Sequence, residues 1–283
     1  MAERGTLSGR WVIAGDTPVY LRVAEPDSSA PAVIHLHGFA ISGRYMVPTA
    51  ELLAGEFRTY VPDLPGFGRS PHPEQRATIP LLADHMARIL DAVGVERATM
   101  VGNSLGCAVV AAFADRHPER LDRAVLVSPA GGIHSQPLAR AVAQLARDAF
   151  REPPSMARVA VPDYLSFGLI GSLELFVAMT RFPALDSLLH MSVPILAVLG
   201  ARDPLLPPAR RVRQVAGQIG PNATVVVIRD AAHAINFSHP VELSRLIRDF
   251  VLGSTGAGTG GGDGGLSPVA HLAGSAVAPA PPE

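Results

Sequence analysis

The stretch Val101-Gly102-Asn103-Ser104-Leu105-Gly106 constrains this chain more than any other. The residues before it, Ala98 to Val101, read as a short buried strand. Those after it, Leu105 to Arg116, read as a helix. A strand that meets a helix with no loop between them forces a tight turn. Glycines two before and two after Ser104 leave room for that turn, and the serine is expected on a strained, exposed tip. A Gly-x-Ser-x-Gly string alone is common among small residues. It gains meaning only if a base, an acid and oxyanion donors stand elsewhere in the right order.

The rest of the chain supplies alternating strands and helices. Trp11 to Ile13 and Val19 to Val23, with Gly15-Asp16 between them, predict an antiparallel hairpin. Strands are expected at Ala32 to Leu36, Thr59 to Pro62, Ala124 to Val127, Ile195 to Leu199 and Thr224 to Ile228. Ile195 to Leu199 is continuously apolar, as a strand buried on both faces requires. Helices are expected at Val47 to Ala54, Ile79 to Val93, Pro208 to Ala216 and Pro240 to Leu252. In the second of these Leu82, Met86, Ile89, Leu90 and Val93 share one face and Gly94 supplies the C-cap. Such alternation implies an α/β fold, a doubly wound and mostly parallel sheet with an N-terminal antiparallel hairpin. No strand is expected between about Gly131 and His190. The expected organisation is therefore a core of residues 1–130 and 191–252, a small inserted helical cap at 131–190, and a Gly/Ala/Pro-rich tail at 253–283. That tail has too few large apolar side chains to offset its ordering entropy, so it is expected to be disordered.

Composition narrows the function classes. Hydrophobic residues make up 48% of the 283 and charged residues 17%, enough for a sizeable core. The formal net charge of -1 carries no basic excess, which argues against nucleic acid as a partner. The single cysteine, Cys107, excludes an intramolecular disulfide and a cysteine-based metal site. Met1 to Arg10 is polar without a cleavage signature, and no apolar run reaches membrane-spanning length, so a cytoplasmic protein is the expectation. The partner is expected to be a small-molecule substrate, with no cofactor and no metal. Nothing in the sequence speaks to oligomeric state.

A serine hydroxyl needs a base to become a nucleophile, and the base needs an orienting acid. In open α/β sheets these groups come from loops at the carboxyl ends of the strands. After Leu199 the chain reads Gly200-Ala201-Arg202-Asp203-Pro204. After Ile228 it reads Asp230-Ala231-Ala232-His233-Ala234. The order Ser104, Asp203, His233 is the one such a site requires. Ser104 is expected to attack, His233 to take its proton, and Asp203 to fix the imidazole. Asp230 lies too near the base in sequence to replace Asp203, and Ser128-Pro129-Ala130 offers no carboxylate. Two backbone N–H groups should stabilise the oxyanion. One is that of Leu105. The other comes from the loop after Leu36, at Phe39 or, as backup, Ala40. His35 and His37 are read as structural, Asp63 as a cap for backbone amides, Cys107 as a small buried thiol and His239 as a surface residue. Asn103, with Phe150, Tyr164, Phe167, Phe176 and Met179 of the cap, is expected to line an apolar substrate pocket.

These residues resemble the α/β-hydrolase fold family from about Leu21 to Leu252. His37-Gly38-Phe39 looks like its oxyanion loop, Gly102 to Gly106 like its nucleophile elbow, and Gly200 to Asp203 and Ala232-His233 like its acid and base loops. The resemblance implies a serine hydrolase, a carboxylic ester hydrolase foremost, working through an acyl-enzyme. Asn103 also resembles the carbon–carbon bond hydrolases of aromatic-ring degradation, in which a tryptophan commonly follows the histidine where Ala234 stands here. The cofactor-free haloperoxidases and perhydrolases share the His-Gly-Phe loop but usually carry Met where Leu105 stands. Two alternatives to ester hydrolysis follow: cleavage of a vinylogous diketone, and a small-molecule receptor without turnover.

Overall fold

The structure is a computed structural model that describes residues 5–73, 77–129, 144, 147–148, 151–167, 175, 177–178, 191–205 and 222–253. β1 (Ser8–Ala14) and β2 (Thr17–Ala24) form the expected hairpin, turning at Gly15 with φ +69°. β3 (Ala32–Leu36), β4 (Arg58–Pro62), β5 (Ala98–Asn103), β6 (Leu121–Val127), β7 (Ile195–Gly200) and β8 (Ala223–Ile228) follow. All eight join one sheet in the order β1-β2-β4-β3-β5-β6-β7-β8. Only the β1–β2 and β2–β4 pairs are antiparallel, and every other pair is parallel.

Two apolar layers hold helices to the sheet, and alternation along the strands decides which residue feeds which layer. Ile34, Leu36, Met100, Ala124 and Leu126 pack with α2 (Ile79–Ala92) and α3 (Leu105–Arg116). Val33, Val101, Val125, Val127, Leu196 and Val198 pack with α1 (Val47–Leu53) and the last helix, Pro240–Val251, on the other face. α2 begins at Thr78, whose side chain accepts the Leu81 N–H, and ends before Gly94 at φ +67°. Two more helices are described: α4 (Ala157–Phe167) between β6 and β7, and the single turn α5 (Ile235–Ser238), which precedes α6 (Pro240–Val251).

The pairing register aligns the strand ends. Leu36 stands opposite Gly102, Asn103 opposite Val127, Val127 opposite Val198, and Gly200 opposite Ile228. The loops after β3, β5, β6, β7 and β8 therefore leave the sheet along one edge. The expected helix at Pro208 to Ala216 and the tail beyond Gly253 lie outside the described residues. Among the described residues no helix is long and apolar enough to cross a membrane.

Candidate active site

Ser104 joins β5 to α3 with φ 53° and ψ -111°, a conformation that L-residues rarely adopt. The two flanking glycines make it possible. A Cβ on Gly102 would lie 2.5 Å from the Gly106 carbonyl, and one on Gly106 would lie 2.4 Å from the Leu36 oxygen. The end of β6 fixes the turn from the other side. The Val127 carbonyl accepts from the Ser104 N–H at 3.1 Å, from Asn103 Nδ2 at 3.2 Å and from the Cys107 thiol at 3.3 Å. Burial pushes the Cys107 thiol far above its ordinary range, which makes it a packing group. The tip itself is only 6% exposed, against the sequence expectation of an exposed serine. Neighbouring loops close over it: the Cβ position of Gly38 lies 3.4 Å from the Ser104 Cβ.

His233 and Asp203 meet as their strand-end positions require. His233 Nδ1 lies 2.8 Å from Asp203 Oδ2, and Asp203 Oδ1 accepts the Leu205 N–H at 2.8 Å. This pairing puts the Nδ1 proton toward the acid and leaves Nε2 as the basic nitrogen. Asn103 Nδ2 donates to the His233 carbonyl at 3.4 Å, so the loop after β8 rests against the elbow. Burial alone would push the imidazole down. The Asp203 carboxylate, with Asp148 and Glu152 beyond it, overrides burial and raises His233 to about 9. Asp230, the rival acid, is exposed.

The loop after β3 is braced by buried polar groups. His37 Nε2 accepts the Leu64 N–H at 3.0 Å, so Nδ1 carries the proton toward the Gly38 carbonyl at 2.8 Å. Burial keeps this imidazole neutral by lowering its pKa. Asp63 accepts from the N–H groups of Gly43 and Arg69 and pairs with Arg22 at 2.7 Å, the capping role expected of it. Phe39 stands half-buried at the sheet edge, and Ala40 takes a positive φ of 56°. Leu105 begins α3, where its N–H has no intrahelical acceptor. The three non-glycine residues of positive φ among those described are Ala40, Ser104 and Ser128. They follow β3, β5 and β6, so backbone strain gathers at this one edge.

The segment between β6 and β7 adds carboxylates that a search of strand-end loops misses. Asp148 Oδ1 accepts the His233 N–H at 3.4 Å, Glu152 Oε1 the Ala234 N–H at 2.6 Å, and Asp163 Oδ2 the N–H and hydroxyl of Ser42 at 2.8 and 2.7 Å. Of the expected pocket residues, Asn103 is buried beside Ser104 and Tyr164 is 43% exposed on α4. Phe150, Phe176, Met179 and the side chain of Phe167 lie outside the described residues. His239, expected on the surface, is half-buried, its Nδ1 2.9 Å from the Ser238 hydroxyl. Among the described residues no group of three or more His, Cys, Asp or Glu side chains is placed to hold a metal ion.

Residues 31–163 match a family model described as the alpha/beta hydrolase fold, and the sheet order and elbow carry the same architecture to β8. The chain has the α/β-hydrolase fold. It is 29% identical over 256 residues to a pimeloyl-[acyl-carrier protein] methyl ester esterase of Aeromonas hydrophila subsp. hydrophila, covering 78% of this chain and 95% of that one. A shorter match, 42% identical over 80 residues and 28% of each chain, is to a 2-hydroxymuconate semialdehyde hydrolase of Pseudomonas sp. CF600. Among solved structures, the carboxylesterase CesB (YbfK) of Bacillus subtilis superposes with a TM-score of 0.67 at 21% identity, covering 87% of this chain and 92% of that one. At that identity the likeness speaks for the fold.

Proposed function

We propose that this α/β-hydrolase cleaves an ester, or a related acyl bond, of a small apolar substrate through an acyl-enzyme formed on Ser104. His233 Nε2 takes the Ser104 proton as Oγ attacks the acyl carbon. Asp203 holds the imidazole by Nδ1 and stabilises its charged form. The N–H groups of Leu105 and Phe39 stabilise the tetrahedral oxyanion. The imidazolium returns its proton to the departing alcohol, and the acyl group stays on Ser104. Water, deprotonated by the same imidazole, then attacks the ester, and Ser104 leaves with the proton restored. The observation that carries this reading is the 2.8 Å His233–Asp203 pair held against a strained serine elbow. The esterase relative that matches most of the chain supports the ester. The segment at 131–190 is read as the cap that supplies the apolar pocket.

A fluorophosphonate probe tests the nucleophile. Wild type labels and Ser104→Ala does not, and failure of wild type to label or to hydrolyse short p-nitrophenyl esters overturns the reading. His233→Ala lowers turnover by roughly 10³- to 10⁶-fold. A second reading, hydrolysis of a carbon–carbon bond in a vinylogous diketone, is favoured by Asn103 and by the short match to the semialdehyde hydrolase. Loss of visible absorbance from a ring-cleavage product, faster than ester turnover, would favour it over the ester.

A further inference from the structure

The loop that carries His233 is anchored from outside its own strand. β8 ends at Ile228, and the one-turn helix α5 has Ala234 as its N-cap with no side chain capping it. The N–H groups of His233 and Ala234 would otherwise need water in a site where both residues are buried. The segment between β6 and β7 supplies the acceptors instead. Asp148, 5% exposed, takes the first and Glu152 the second. Arg151 lies between them and donates to the Arg202 carbonyl, next to Asp203, so the same short segment also grips the acid loop.

This arrangement has a cost that marks it as more than packing. Glu152 Oε2 is buried with no hydrogen-bond partner among the described residues, and a half-satisfied buried carboxylate destabilises the fold. Three carboxylates, Asp148, Glu152 and Asp203, act on one imidazole, and a positive charge on that imidazole eases their mutual repulsion.

We infer that Asp148 and Glu152 are positioning residues for His233: their carboxylates hold the backbone of the base loop in register with the elbow, and their charge favours the imidazolium that forms when Ser104 is deprotonated. The inference rests on the hydrolase reading for its catalytic consequence, but not for its geometry.

Among the described residues the groups facing this cluster are few. Asp203 faces it from the loop after β7, Arg151 from the segment itself, Tyr45 from the turn before α1, and Tyr164 from α4. Burial pushes the Tyr45 phenol upward and keeps it neutral, so among the described residues Arg151 is the positive group opposing the three carboxylates besides His233. Burial raises Glu152 to about 7, so its charge is acquired as the pH rises through neutrality.

Glu152→Gln keeps an oxygen for the Ala234 N–H and removes the charge, whereas Glu152→Ala removes both. The decisive measurement is the titration of His233 by NMR in histidine-labelled protein, together with kcat and KM for p-nitrophenyl butyrate across pH. The expected result is a His233 pKa lowered in both variants, with the alkaline-rising limb of kcat/KM moved to lower pH. Glu152→Ala lowers kcat about 10- to 100-fold at its plateau with little change in KM, and Glu152→Gln recovers most of that loss. Melting curves taken alongside show whether either variant is folded, and Asp148→Asn serves as the second probe of the charge. An unshifted His233 titration in Glu152→Gln and Asp148→Asn overturns the electrostatic role. A Glu152→Ala variant with wild-type kcat overturns the positioning role. If wild type cleaves no ester, the hydrolase reading falls, while the His233 titration still decides the inference.

Discussion

Ser104 is held by neighbours that leave its glycines no alternative. Gly106 lies so close to the end of β3 that an added Cβ would sit 2.4 Å from the Leu36 oxygen, which is backbone and cannot rotate away. Gly106→Ala is therefore expected to destabilise the protein by about 1–3 kcal/mol through overpacking. It should also lower turnover further than the stability loss explains, because β3 and the loop after it are pushed from the elbow. Urea unfolding measures the first, and kcat at a denaturant-free temperature well below the melting point measures the second. The elbow was legible in the sequence because its demands are local: a strand, a turn that needs two small residues, a helix. Its burial was not, because the loops packed against Ser104 and its neighbour Asn103 come from residues 38 and 233, far away in sequence. His35 shows a related limit. Its place in β3 reads as structural, yet no pattern shows that both ring nitrogens are buried without partners among the described residues and that burial lowers it to about 3.

Elements were read well where one physical rule governs a run of residues. β3, β5 and β7 are buried along their whole length, β3 and β7 are apolar along most of it, and α2 shows a face of 3.6-residue period. The order Ser104, Asp203, His233 followed from the rule that parallel strands deliver their loops to one edge. α4 obeys no such rule. Pro162 sits inside it, Val161, Tyr164 and Leu165 are exposed, and its buried polar residue is Asp163. Asp163 binds Ser42 across 121 residues of sequence, a link that propensity and periodicity cannot anticipate. One carboxylate oxygen there accepts both the Ser42 N–H and its hydroxyl, tying α4 to the chain just beyond the loop that follows β3. Asp163→Ala leaves two buried donors unpaired and is expected to cost about 2–6 kcal/mol, at about 1–3 kcal/mol for each. Asp163→Asn retains an acceptor oxygen and should recover a large part of that loss. Chemical denaturation of the two variants beside wild type checks the difference. If Asn is as damaging as Ala, the charge of Asp163 outweighs its geometry.

At the scale of the whole molecule, the proposed mechanism makes activity and stability respond to pH in opposite senses. On the proposed mechanism His233 is neutral when it accepts the Ser104 proton, and it is raised to about 9. Activity is therefore expected to climb from neutral pH toward about 9 as the base loses its proton. Stability runs the other way. A histidine raised above its unfolded value of 6.5 binds its proton more tightly in the folded state. The stability it contributes is fully present below about 6.5 and is lost as pH rises through about 9. Glu152 has the same sign, since its folded pKa of about 7 stands above an ordinary 4.5: ionising it in a buried site disfavours the fold as pH rises through that range. Melting temperature should accordingly fall from pH 6 to pH 9 while ester turnover increases. His233→Gln removes the titrating group, so its melting temperature should change less between pH 7 and pH 9 than that of wild type. A wild-type melting temperature that is flat or rising over that interval would mean that the three carboxylates around the base do not hold its proton in the folded state, and the alkaline climb in activity should then be absent as well.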